Sequence, residues 1–165
     1  MGAQQLTARF SQVQISTIRR GGNGAAIGMV FRNRQGSPVR KVAYQVDTQS
    51  PDQAALEAVL YALEEAARWN VRSLTVYLDT PQTVDQLNRR AHVEPELMPL
   101  YAQVRCAANA LGRVRFLPGG SENTFAARRL ARSAMNHRET VNIEYDTPLL
   151  PLSFGEERLG GRVTP

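Results

Sequence analysis

Cysteine, lysine, histidine and long apolar runs are what this 165-residue chain has least of. With Cys106 alone there is no intramolecular disulfide and no thiolate cage for zinc, and its place in an apolar helical run makes it an expected buried filler. His92 and His137 are too few and too distant in sequence to suggest metal ligands or a base, so surface positions are expected for both. No window approaches the roughly 18 consecutive apolar residues that a membrane helix requires, and Met1 to Ser11 has no apolar stretch behind a basic start. The expectation is a cytoplasmic protein without membrane contact. The 42% of hydrophobic residues, by contrast, is enough for one globular core at this length, which leaves disordered and collagenous readings without support.

Lys41 is the only lysine, so 19 of the 20 basic residues are arginines, whose planar fork suits phosphate and stacks on bases. Their placement is uneven. Residues 1 to 41 hold seven bases and no acid, 42 to 100 hold nine acids and four bases, 101 to 138 hold seven bases against Glu122, and 139 to 165 hold five acids and two bases. Segregated charge of this kind favours a basic binding face, and hence an anionic partner, over evenly spread solubilising charge.

Apolar alternation predicts strands over 10–18, 27–34 and 39–46, joined by Gly21-Gly22-Asn23-Gly24 and by Gln35-Gly36-Ser37-Pro38, so the three form an antiparallel meander. Ser50-Pro51-Asp52-Gln53 has the residues of a capping box ahead of a helix carrying Leu56, Val59, Leu60 and Leu63 at helical spacing. Residues 71–78 form a fourth strand, added in parallel. A short helix over 79–88 and another over 96–111 make an insert before a fifth strand at 113–117, and Ser121 is expected to cap a last helix through about Met135. The fold class is therefore α/β, a five-stranded mixed sheet flanked by helices over residues 1–145. Residues 146–165, with three prolines and three glycines and no periodicity, read as a tail.

The order of these elements and the residues at their ends resemble the type 1 ribonuclease H family. Gln12-Val13-Gln14-Ile15-Ser16-Thr17 is similar to that family's first strand, Gly22-Asn23-Gly24 to its Gly-Asn-Pro-Gly loop without the proline, and Gly28 to Phe31 to the start of its second strand. The run from Ala55 to Ala66 is similar to its first helix, Asp79 to Asn88 to its Asp-Ser-x-x-Val-x-Gln-Leu segment, and Asn123 with Leu130 to Ala134 to its closing helix. The resemblance covers about residues 12 to 140. It implies cleavage of the RNA strand of an RNA/DNA hybrid by two Mg²⁺ ions, which need a set of hard carboxylate oxygens to hold them about 4 Å apart.

Carried over residue by residue, that carboxylate set is largely missing. The first-strand position falls on Ile18, the first-helix position on Ala55, and the last-helix position on Ala127 or Arg128, depending on whether Asn123 or Leu130 anchors the match. Asp79 alone keeps its acid, and the family's loop histidine has no counterpart in Pro118-Gly119-Gly120-Ser121. Asp52, one turn before Ala55, is the nearest stand-in. Asp79 accordingly fits two readings, a residual metal ligand or a strand-end aspartate that caps Thr80-Pro81 or pairs with an arginine.

The expected function is a catalytically degenerate ribonuclease H-like domain that binds nucleic acid through phosphate contacts, without a metal cofactor. The candidate contacts are Arg19, Arg20, Asn23, Ser50, Arg128, Arg129 and Arg132. A divergent, active Mg²⁺-dependent enzyme and a protein-binding module, engaging a partner through the tail or the acidic 42–100 segment, are the alternatives. Phe10, Phe31, Tyr44, Tyr77 and Phe116 lie in strand patterns and are expected in the core.

Overall fold

A computed structural model describes residues 10–19, 24–48, 50–138, 140–145 and 161–163. Strands β1 (Gln12–Arg19), β2 (Ala25–Arg32) and β3 (Pro38–Val46) form the antiparallel meander, with Ile15 opposite Met29 and Gly28 opposite Ala43. Helix α1 (Pro51–Arg68) then carries the chain across to β4 (Ser73–Leu78), which runs parallel to β1, and β5 (Arg113–Pro118) is parallel to β4. Between β4 and β5 lie α2 (Pro81–Leu87), a 3₁₀ turn (Pro95–Leu97) and α3 (Met98–Leu111); α4 (Ser121–His137) follows β5.

The sheet has two more strands than expected. Val141–Tyr145 forms β6, antiparallel to β3, and Gly161–Val163 forms β7 against β6, giving the order β5-β4-β1-β2-β3-β6-β7. The 146–165 segment thus contains a strand; the rest of it lies outside the described residues. Among the described residues no helix is long and apolar enough to cross a membrane.

Alternation along the strands divides the core between the two faces. Val13, Ile15, Ile27, Met29, Phe31 and Val42 point toward α1, meeting Leu56, Val59 and Leu63 in one apolar cluster. Each such fully buried side chain contributes about 1.5–3 kcal/mol relative to exposure. The opposite face meets α4 through small residues, Ala26 and Ala43 from the sheet and Ala131 and Ala134 from the helix. Gly28 explains the small residues: a Cβ there would lie 2.0 Å from the Ala127 carbonyl oxygen and 2.7 Å from the Ala131 nitrogen. Only a glycine lets the backbone of α4 sit this close to the sheet.

Several local expectations change in detail. Ser50 caps α1 by accepting from the Gln53 N–H at 3.1 Å, but the Gln53 side chain donates to Glu57 and the Ser50 N–H goes to the Thr48 hydroxyl, so the capping box is one-sided. Helix α4 starts at Ser121 with Gly120 in the capping position and no side-chain cap. Cys106 is exposed, because the buried positions of α3 are Val104, Ala108 and Leu111, and Cys106 lies two residues, about 200°, from each of its nearest buried neighbours. Phe10, Phe31 and Phe116 are buried, whereas Tyr44 and Tyr77 are half-buried.

Candidate functional site

The ends of β1, β4 and β5 and the start of α4 share one edge of the sheet, and Asp79 stands at its centre. It follows the last residue of β4, and its N–H donates to the Ile15 carbonyl at 3.3 Å, which extends the β1–β4 ladder by one rung. Alternation turns its side chain onto the α4 face, where one carboxylate oxygen, Oδ2, accepts the Ser16 hydroxyl at 2.5 Å and the other, Oδ1, the Thr17 N–H at 3.3 Å. Arg128 of α4 reaches Oδ2 with Nη2 at 3.4 Å. The Asp79 side chain is 7% exposed and that of Arg128 42% exposed, so a buried carboxylate is capped by a guanidinium that keeps one side in water. Burying the anion is tolerable because hydrogen bonds and an opposite charge surround it.

The close seat of α4 decides which helix residue meets Asp79. Ala127 is fully buried, its carbonyl against Gly28, and the next residue round the helix, Arg128, is the one that reaches the carboxylate. Ile18 packs against the alanine cluster beneath α4, and Ala55 is fully buried in α1. Asp52 lies in the first turn of α1, half-exposed. Among the described residues, the Asp79 carboxylate therefore meets a hydroxyl, an amide and a guanidinium.

Arg129 and Arg132 lie on α4, both exposed, and Arg19 is exposed at the end of β1. Arg20 and Asn23 lie outside the described residues. Ser50 is held in its capping role, and the Gly24 N–H donates to the Thr48 carbonyl at 3.1 Å, so that amide is already engaged. His92 and His137 are exposed. The sequence reading missed one residue of this face: Phe125 is 60% exposed, and the Arg129 guanidinium carbon lies 5.8 Å from its ring centroid. The signal was present, since at 100° per residue Phe125, Arg128, Arg129 and Arg132 fall within about 100° of arc on one helix.

Residues 17–134 match the family model described as reverse transcriptase-like. The chain belongs to the reverse transcriptase-like family. Its ribonuclease H-like fold is shared with the N-terminal RNase H domain of a Mycobacterium tuberculosis protein, at 23% identity and a TM-score of 0.68 over 77% of this chain and 95% of that one. RNase H1 from the halophilic archaeon Halobacterium salinarum matches at 20% identity and a TM-score of 0.70, over 76% and 97% of the two chains. An RNase H1 named LC11, isolated from compost by a metagenomic approach, was crystallised with an RNA/DNA hybrid; that structure matches at 21% identity and a TM-score of 0.67, covering 76% and 98%. No curated protein matches.

The cofactor that the resemblance to ribonuclease H implies is a pair of Mg²⁺ ions, and the donor set among the described residues does not fit them. Two such ions need several charged oxygens converging on them, whereas among the described residues the buried carboxylate at this edge, Asp79, has oxygens that already face a hydroxyl, an amide and Arg128. Among the described residues no group of three or more His, Cys, Asp or Glu side chains could hold a metal ion.

Proposed function

We propose that this reverse transcriptase-like domain binds nucleic acid without cleaving it, holding the phosphate backbone against the arginines at the α4 edge. The observation that carries the reading is the Arg128 guanidinium on the Asp79 carboxylate. A cation-recruiting edge would concentrate negative charge; here Arg128 pairs with Asp79, and Arg129 and Arg132 add positive charge along the same helix. Arginine forks match phosphate oxygens, and such contacts give affinity with little sequence preference. An RNA/DNA hybrid, RNA or DNA would each present the necessary backbone, and the hybrid in the LC11 RNase H1 crystal supports duplexes among them.

The test has two parts. Incubated with Mg²⁺ and an RNA/DNA hybrid, the protein should give no cleavage above background, and Asp79→Asn should change nothing; Mg²⁺-dependent cleavage abolished by Asp79→Asn would overturn the reading. In binding assays from about 50 to 200 mM salt, Arg129→Glu with Arg132→Glu, neither of them in the core, should weaken all sequences alike. The slope of log affinity against log salt should fall by about 0.7–0.9 for every phosphate that the variant no longer holds. Absence of binding even at low salt would leave the arginines as solvated surface.

A further inference from the structure

We infer that the exposed face of α4 is a stacking platform for an unpaired base, so that the domain holds single-stranded nucleic acid there. This rests on the proposed nucleic-acid binding and specifies its form. Among the described residues Phe125 is the most exposed large hydrophobic side chain, at 60%, and it belongs to neither apolar cluster of the core. Arg129, one turn on, lies against the ring with its guanidinium carbon 5.8 Å from the centroid, which keeps a cation beside the aromatic face. Arg128 and Arg132 follow on the same side of the helix, Arg128 held in place from beneath by Asp79. An aromatic ring flanked by phosphate-binding cations is the combination that holds a single strand: the base stacks and its neighbouring phosphates meet the guanidiniums. A duplex keeps its base faces stacked inside the helix, so it can use the arginines but not the ring. The ring accepts any base, because every base has a π-face, and the site therefore takes DNA and RNA single strands by the same chemistry.

The full chain should be titrated with single-stranded DNA and RNA oligonucleotides carrying 2-aminopurine, and with blunt duplexes of equal length. Phe125→Ala should weaken single-strand binding by roughly five- to a hundredfold, leave duplex binding within about twofold, and leave the salt slope unchanged because no charge is removed. The 2-aminopurine fluorescence should be quenched on binding to wild type and to Phe125→Trp, and unquenched with Phe125→Ala. Arg129→Glu with Arg132→Glu should instead weaken single strand and duplex together and lower the slope. If Phe125→Ala binds single strands as wild type does, or weakens both ligands equally, the stacking site is refuted while arginine-dependent binding stands. If wild type binds neither ligand at low salt, both proposals fall.

Discussion

Replacing Gly28 by alanine should unseat α4 from the sheet. The added Cβ would lie 2.0 Å from the Ala127 carbonyl oxygen and 2.7 Å from the Ala131 nitrogen, and ordinary contact begins at 3.4 Å, so the backbones must separate by up to about 1.4 Å. Neither obstructing atom belongs to a side chain that can rotate away. Overpacking of a core typically costs about 1–3 kcal/mol, and a clash between two backbones belongs at the upper end, about 3 kcal/mol. For a domain of this size that lowers Tm by about 6–12 °C. The Arg128–Asp79 contact, already 3.4 Å long, would open with the same movement, so the variant should lose arginine-dependent nucleic-acid affinity along with stability. Thermal unfolding followed by circular dichroism measures the first effect and salt-dependent binding the second. A Gly28→Ala protein that melts within about 2 °C of wild type would refute the close packing of α4 and, with it, the reason that Arg128 rather than Ala127 meets Asp79.

The remaining expectations concern the other face and the helix start. Glu65, buried against Arg40 and within 3.2 Å of Arg68, should cost about 3 kcal/mol when replaced by alanine, because Arg40 is left largely buried beside neutral Tyr61 and Asn142 with only the solvent-exposed Glu144 carboxylate, 3.9 Å away, as counter-charge; Arg40→Met with Glu65→Leu should recover most of that loss in urea denaturation. Burial, with the neighbouring Tyr61 and Glu57, pushes the Tyr44 hydroxyl well above its ordinary value of 10.0, so the fold favours the neutral phenol. That stability is complete below about pH 10 and is lost as pH rises beyond it; Tyr44→Phe should flatten the alkaline fall of the urea midpoint, and an unchanged profile would count against it. Gly120, at the uncapped start of α4 with β-region backbone and open space within 4 Å of where a Cβ would project, should accept serine with a gain of about 0.5–1 kcal/mol and a higher Tm.

The central sheet was legible because its signals are local. Three alternating runs with turn residues between them, followed by Ser50-Pro51 and leucines at helical spacing, state β1, β2, β3 and α1 in consecutive windows, and the short links fix which neighbours pair. The two added strands carry no such statement. Val141–Tyr145 is five residues long and pairs with β3 about a hundred positions earlier, with Arg40 opposite Glu144, so no turn of its own announces it. Gly161–Val163 is three residues long, too short for alternation to register, and it exists by pairing with an edge that β6 supplies.

The site shows a sharper limit, set by the helix repeat itself. Successive residues of α4 differ by about 100° in direction, so an uncertainty of one position in matching Ala127 or Arg128 decides whether the edge presents a methyl group in the core or a cation on a carboxylate. Nothing in residues 121–137 resolves that choice; Gly28, about a hundred positions away, does, by admitting the Ala127 carbonyl and thereby turning Arg128 toward Asp79. Once that phase is fixed, the rest of the face follows from the helix repeat. Phe125 and Arg132 lie three residues before and four after Arg128, positions that must share its side of the helix, and the exposed ring stands beside the arginines as a consequence of one glycine in a neighbouring strand.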